Sequence, residues 1–307
     1  MTSINICNPI FQDENKALAH LEADRWPNGE VVCPFCESSG VTRMGGKTQA
    51  GMFLCNVCRQ KFTVRTGTVM ERSHIPLHKW LLATHLMAAS KKGMSAKQME
   101  RMLGVTYKSA WFLCHRIREA MDEANNPHEP LGGPGKIVES DEAIVGGFKK
   151  KRLSGKIAPK KKIVTLVERD SGRAKSFHIT NIDHTNVRTA LVTNVHRSSH
   201  LMTDDARFYN RIGEEFASHH TTLHSNRQFA KAGGIHSNTA ENFFSIFKRG
   251  LVGVYHHMSA THMHRYLAEF DLRYSTKDKT DGERAADILR GMVGRRLTYR
   301  RTDELAA

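Results

Sequence analysis

Four of the six cysteines in this 307-residue chain stand in two Cys-x-x-Cys pairs, CPFC and CNVC, with eighteen residues between the pairs. Cys33, Cys36, Cys55 and Cys58 have the spacing at which two knuckles close a tetrahedral site around Zn²⁺. Because four thiolates leave no open coordination position, such a zinc ion would be structural. Two disulfides are the alternative, and they do not suit a reducing compartment.

A second group of chemically interesting residues lies in HSNTAENFFSIFKRG, residues 236–250. In helical geometry Glu241, Ser245 and Lys248 share one face, and the phenylalanines gather on the other. Taken alone, a Glu and a Lys on one face are typical of a solvated helix with a weak ion pair. Whether Glu241 takes part in chemistry therefore depends on the acids elsewhere in the chain.

Two further acids lie on predicted strands. KIVESDEAIVGG, residues 136–147, predicts a strand that carries Asp141, and HLMTDD predicts one that ends near Asp204. The predicted order β-β-β-α-β-α-β-α is that of an α/β, ribonuclease-H-like domain, a mixed five-stranded sheet with flanking helices. There the two aspartates can lie side by side, with Glu241 brought up by a helix across the sheet. Three carboxylates so placed can hold two Mg²⁺ (or Mn²⁺) about 3.5–4 Å apart for phosphodiester chemistry. Glu142 and Asp205 are the alternative ligands.

The segment 76–124 predicts a helix-turn-helix. Ser95 is a suitable N-cap, Gly104 suits the turn, and Thr106 suits the cap of a further helix. An ordinary helical hairpin is the alternative. The side chains that would contact DNA phosphates are Lys108, Arg116 and Arg118.

Charge favours a polyanionic partner. The 46 Lys and Arg exceed the 31 Asp and Glu, which gives a net charge of +15, while 39% hydrophobic content argues against general disorder. The run FKKKRLSGKIAPKKK, residues 148–162, predicts either a solvated loop or an arm that neutralises phosphates. Its candidate DNA contacts are Lys149, Lys150, Lys151, Arg152, Lys160, Lys161 and Lys162. The chain lacks both an apolar stretch of ~18 residues and a signal-peptide pattern, so we expect a cytoplasmic protein without a membrane partner.

These patterns predict a division into five parts. They are an N-terminal segment with a zinc ribbon at 1–75, a helix-turn-helix at 76–124, a linker at 125–135, a catalytic domain at 136–275 and a C-terminal tail at 276–307. The tail is either a terminal helix or a partner contact. Four histidines between 256 and 264 lack zinc-ligand spacing and predict polar helix faces.

Five motifs in a fixed order resemble those of one family. They are RWPNGEVVCPFC, LCNVCRQKFTVRTGT, VESDEAIVGG, MTDDARFY and HSNTAENFFSIFKRG. Together they resemble a bacterial insertion-sequence transposase of the ISXO2-like type, which joins an N-terminal zinc ribbon to a ribonuclease-H-like DDE domain. Each motif is weak alone, but the five together, in family order, are specific.

The resemblance assigns roles to residues. It implies that Asp141, Asp204 and Glu241 are the three catalytic acids and Mg²⁺ ligands. It also implies that Lys248 contacts the DNA backbone near the scissile phosphate, and Arg249 is expected to contact DNA beside it. Asp205 stands where relatives often have Gly, which makes it the alternative to Asp204 as the second acid.

The resemblance further implies a Mg²⁺-dependent transposase that cleaves the ends of an insertion sequence and joins them to target DNA. Its partners would be the double-stranded terminal inverted repeats, the target DNA and further copies of the chain on paired ends, in association with the nucleoid. A DNA-binding regulator, or a domesticated relative without catalysis, is the alternative. A nuclease without strand transfer is a third.

Overall fold

The computed structural model describes residues 6–46, 49–124, 128–146, 160–222, 230–231 and 235–298. The α-helices are α1 Glu14–Arg25, α2 Leu77–Ala89, α3 Ala96–Leu103, α4 Tyr107–Ala124, α5 His184–Asn194, α6 Tyr209–Gly213, α7 Asn238–Gly250, α8 Met263–Ser275 and α9 Asp281–Arg290. The strands are β1 Val41–Arg43, β2 Met52–Cys55, β3 Lys61–Thr63, β4 Ile137–Val145, β5 Lys161–Glu168, β6 Ala174–Ile179, β7 His200–Asp204, β8 Ser218–Thr222, β9 Ala230–Lys231 and β10 Ile235–His236. Among the described residues, no helix has the length and apolar character that crossing a membrane requires.

The chain divides into two compact units. The first, called the N-terminal unit here, comprises Met1–Ser90, Met94–Ala124 and Lys279–Ala307. The second, called the sheet unit, comprises Lys91–Gly93 and Asn125–Asp278.

The N-terminal unit begins with α1 and the antiparallel sheet β1-β2-β3. Trp26, Phe53 and Phe62 are buried together beneath that sheet, with ring centroids 5.5–6.5 Å apart. Since three short strands bury little apolar surface, these aromatic contacts supply much of the packing there.

Two helices joined by a turn, α3 and α4, lie where the helix-turn-helix is predicted, and their ends follow the local sequence chemistry. Ser95 accepts the amide of Gln98 at the start of α3. Gly104 ends the helix with φ 59°, in the left-handed region that glycine adopts at little cost. Thr106 Oγ1 accepts the amide of Ser109 at the start of α4.

Part of the predicted tail completes the N-terminal unit. Helix α9 begins with a capping box between Thr280 and Glu283 and packs on α1, α2 and α4. Its side chains Ile288 and Leu289 are buried, and Arg284 donates to the Ala88 carbonyl at the end of α2 (2.7 Å). Residues 281–290 are therefore a packed helix.

The sheet unit is built on five strands in the order β6-β5-β4-β7-β8. β4, β5 and β6 pair antiparallel as a meander, whereas β4-β7 and β7-β8 are parallel. The apolar run Ile163–Val167 of β5 is buried, as expected for a strand covered on both faces. The predicted mixed α/β sheet is confirmed.

Two cores cover the two faces of this sheet. On one face Val138, Leu166 and Leu201 pack with α5 and α6. On the other face the alternate strand residues pack with α7 and α8, whose buried side chains include Phe243 and Phe247. The helix face opposite those phenylalanines is therefore the one left toward solvent, as its periodicity predicts.

The predicted linker is only partly separate. Leu131 is buried in the sheet unit, donates its amide to Asn194 (2.8 Å) and accepts that of His196 (2.9 Å). Residues 125–127 lie outside the described part of the chain.

Candidate active site and zinc centre

The four paired cysteines converge at one end of the small sheet. Their four sulfur atoms all lie within 4.8 Å of one another. Among the described residues, no other group of three or more His, Cys, Asp or Glu side chains has its ligand atoms this close together. The Cys33 and Cys58 sulfurs are 3.6 Å apart, as are those of Cys36 and Cys55. All four are free cysteines, and 3.6 Å is far beyond a disulfide bond of about 2.05 Å.

This sulfur arrangement fits zinc. With Zn–S bonds of about 2.3 Å, a tetrahedron places its sulfurs about 3.8 Å apart. Hydrogen bonding from the Cys58 amide lowers the pKa of the Cys55 thiol to about 6, whereas, against a lowering bond from the Gln60 amide, burial and hydrogen bonds with the other three cysteines raise the pKa of Cys58 to about 12. Without metal, the four thiols thus favour a single thiolate, on Cys55, and zinc would favour the other three. The disulfide alternative is thus not what the structure shows.

Asp141 and Asp204 lie on neighbouring parallel strands. β4 and β7 pair as far as Glu139 and Met202, and each aspartate is two residues further along its strand. Alternation along the strands places both side chains on the face covered by α7, because Val138 and Leu201 belong to the core on the opposite face. Both aspartates are half-buried.

Glu241 lies in the first turn of α7, on the helix that packs across this face, and it is also half-buried. The register and the packing thus bring the three acids to one side of the sheet. Their carboxylate oxygens are, however, not all within 4.8 Å of one another. Among the described residues, only the four cysteines form a group of potential metal ligands that close together.

Lys248 is exposed two turns after Glu241. It borders a cavity of 370 Å³ together with Ile144, Val145 and Gly146 at the end of β4. Lys248 therefore lies near the end of the strand that carries Asp141. Arg249, next to it, is exposed.

Glu142 follows Asp141 on β4, and the charges of Asp141 and Asp204 act on its pKa. Burial raises the pKa of this carboxyl to about 8, and the charges of Asp204 and Asp141 raise it further, against a lowering hydrogen bond from Tyr209. The hydroxyl of Tyr209, which is fully buried, contacts Glu142 Oε1 and lies 2.8 Å from Ser140 Oγ. The Glu142 carboxyl is therefore protonated at neutral pH, and it adds no negative charge beside Asp141 and Asp204.

Sequence reasoning missed two residues at this site, Glu139 and Tyr209. Glu139 is fully buried, and its carboxylate accepts the amides of Thr239 and Ala240 at the start of α7. A signal was available, because a glutamate two positions before Asp141 in an apolar strand shares its face. Tyr209 carries no comparable sequence signal.

Two of the predicted phosphate contacts are buried. Arg116 and Arg118 are 9% and 2% exposed, and Arg116 donates to the Glu71 carbonyl and stacks on Phe112. Packing inside the N-terminal unit leaves these guanidinium groups little surface for a phosphate. Lys108, in the first turn of α4, is exposed.

The basic run is described only at its end. Lys149, Lys150, Lys151 and Arg152 lie outside the described residues. Lys160 is exposed, Lys161 is half-buried, and Lys162 donates to Thr180 and Asn181.

Comparison with known proteins identifies the chain. Residues 130–275 match the model of the ISXO2-like transposase domain, and residues 12–61 match that of the transposase zinc-ribbon domain. The chain therefore carries an ISXO2-like transposase domain and a transposase zinc-ribbon domain. The zinc-ribbon match and the four-cysteine cluster together support a structural Zn²⁺.

A relative from a mobile element agrees with this. The chain is 29% identical over 295 residues to an uncharacterized protein in transposable element ISH50 of Halobacterium salinarum, covering 91% of this chain and 97% of that protein. A structural comparison finds a simian T-cell lymphotropic virus intasome in complex with a PP2A regulatory subunit. The TM-score is 0.31 and the sequence identity 16%, over 60% of this chain and 66% of that one, and values this low do not establish a shared fold.

Proposed function

We propose that this transposase cleaves the ends of its own insertion sequence and joins them to target DNA, with Asp141, Asp204 and Glu241 as the catalytic acids. The observation that carries the proposal is the placement of these carboxylates. Two lie level on adjacent parallel strands and the third in the first turn of the helix packed over the same face.

The donor set suits divalent cations. Carboxylate oxygens are the ligands that Mg²⁺ and Mn²⁺ prefer, and half-buried acids on one face can bind from several directions. When bound, two such ions would activate the attacking oxygen and stabilise the leaving oxygen of a phosphodiester displacement. The three acids would hold the two cations in place, and the reaction would need no covalent bond between the protein and DNA.

Exposed basic residues of each unit would bind the DNA backbone. Lys248 and Arg249 extend from the exposed face of α7, and Lys160 lies exposed just before β5. Lys108 would contact phosphate from the first turn of α4, which in a helix-turn-helix is the turn that reaches the major groove. We include the basic segment 149–152 in the proposal on its charge alone.

Two copies or more would act together, because both ends of an element must be processed. The zinc ribbon and the helix-turn-helix would recognise the terminal repeats. A regulator or domesticated relative without catalysis would show the same DNA binding, so binding alone does not discriminate.

Strand transfer tests the proposal. Zinc-loaded protein is incubated with the element's end sequences and a target plasmid, with and without Mg²⁺, and Glu241→Gln is compared with Glu214→Gln at an exposed position of the sheet unit. We expect Mg²⁺-dependent joined products from the wild type and Glu214→Gln. Glu241→Gln should bind the ends but join nothing.

Each other outcome identifies an alternative. Cleaved ends without joined products would indicate a nuclease. Binding without cleavage in the wild type would indicate a regulator. Normal joining by Glu241→Gln would reject the assigned third acid.

A further inference from the structure

Glu139 connects the strand of one proposed acid to the helix of another. Its side chain is fully buried on β4, two residues before Asp141. Oε2 accepts the amides of Thr239 (2.8 Å) and Ala240 (3.0 Å), and Oε1 accepts Thr239 Oγ1 (2.9 Å).

These bonds replace a missing helix cap. The first amides of an α-helix have no partner within it, and a side chain usually supplies one. Ser237 stands at the N-cap of α7 but makes no side-chain capping bond. The capping acceptor comes instead from β4, a hundred residues earlier in the chain.

Arg169 compensates the buried charge. Its Nε donates to Glu139 Oε1 (2.8 Å), and a second nitrogen donates to the carbonyl of His236 (2.9 Å). The His236 imidazole faces the same carboxylate, with Nδ1 3.3 Å from Oε1. The segment entering α7 is therefore held to β4 both directly and through Arg169.

We propose that Glu139 is a positioning residue for the metal site, which fixes the first turn of α7 so that Glu241 faces Asp141. The inference rests on the proposed function. Glu241 lies two residues after Thr239 in the turn that Glu139 caps, and Asp141 lies two residues after Glu139 on the same strand. One carboxylate thus sets the distance between two elements that each carry a proposed ligand. Residues that orient metal ligands typically change metal affinity roughly 10–100-fold when mutated.

The test uses Glu139→Gln with Glu168→Gln as a matched control. A glutamine keeps the size, but its single oxygen cannot accept both from the α7 amides and from Arg169. Glu168 is also buried, on the neighbouring β5, and accepts the amide of Gly132 (2.8 Å) and Lys136 Nζ (3.0 Å). It contacts no residue of α7 in these bonds.

Mn²⁺ affinity is measured by electron paramagnetic resonance on the zinc-loaded full chain without DNA. We expect Glu139→Gln to bind Mn²⁺ roughly 10–100-fold more weakly than the wild type, whereas Glu168→Gln binds it as the wild type does. Hydrogen exchange should become faster in the first turn of α7 in Glu139→Gln alone. Wild-type affinity in a folded Glu139→Gln, or equal weakening in both variants, would overturn the positioning role.

Two additions keep the result decisive. If circular dichroism shows that Glu139→Gln is unfolded, Arg169→Lys replaces it under the same criteria, since lysine lacks the fork that bonds both Glu139 and His236. Asp141→Asn separates the two proposals. If it binds Mn²⁺ like the wild type, the metal site itself is rejected; if it loses Mn²⁺ and Glu139→Gln does not, only the positioning role is.

Discussion

Replacing Glu142 by glutamine should change how the stability of the sheet unit depends on pH. Burial raises the pKa of this carboxyl from 4.5 to about 8, with the charges of Asp204 and Asp141 acting in the same direction. Between those two values the folded protein keeps a proton that the unfolded chain releases. The protonated Glu142 carboxyl therefore makes its full contribution to stability below about pH 4.5, and this contribution is lost as the pH rises through about 8.

The size of the effect follows from the shift. A change from 4.5 to about 8 corresponds to about 5 kcal/mol at 1.36 kcal/mol per unit. Because the side chain is not fully enclosed, we expect a measured loss on the order of 2–5 kcal/mol between about pH 5 and pH 9. Glu142→Gln has no proton to lose, and its amide oxygen can still accept the Tyr209 hydroxyl, so its stability should stay level over this range.

The assay must report on the sheet unit. The three tryptophans, Trp26, Trp80 and Trp111, all lie in the N-terminal unit, so their fluorescence does not serve. Native-state hydrogen exchange of peptides from β5 and α5, corrected for intrinsic rates and measured without Mg²⁺, gives the opening free energy directly. Glu214→Gln, at an exposed position, is the control and should follow the wild type. Parallel pH profiles for the wild type and Glu142→Gln would refute the reasoning.

Other predictions test the remaining features. Cys58→Ser should lower the zinc content measured by plasma mass spectrometry and remove hydrogen-exchange protection from β1–β3 while the sheet unit keeps its own; retained zinc would contradict the Cys₄ site. Asp204→Asn should abolish strand transfer while Asp205→Asn retains it, and the reverse result would reassign the second acid. Phe247→Ala, at a fully buried position, should cost about 3–5 kcal/mol in urea denaturation, and less than about 1 kcal/mol would contradict the packing of α7. Gly104→Ala, at φ 59°, should cost about 1 kcal/mol of stability in the N-terminal unit, and no loss would argue against the left-handed turn.

Local chemistry made much of the fold predictable. Knuckle spacing identifies the zinc ligands, and Ser95, Gly104 and Thr106 mark the ends of α3 and α4 through their own side chains or backbone freedom. The apolar run of β5 and the alternation in the phenylalanine-rich helix each report on burial within one element. Such signals need no knowledge of distant contacts.

Distant contacts explain what the sequence did not reveal. Arg116 and Arg118 look like surface cations, yet their burial depends on elements that pack around α4. The partner of Glu139 lies a hundred residues away, and that of Glu142 lies 67 residues away. No local sequence pattern indicates a hydrogen bond between residues so far apart in the chain.

The order of elements along the chain also constrains how the protein is made. The N-terminal unit needs α9, whose Ile288 and Leu289 are buried, but the ribosome reaches α9 only after it has synthesised the whole sheet unit. At synthesis rates of about 5–20 residues per second, α4 waits roughly 10–30 s for that partner. The nascent zinc-ribbon and helix-turn-helix segment must therefore remain incomplete while the sheet folds, and a message truncated before residue 281 would yield a protein whose proposed DNA-reading part lacks its closing helix.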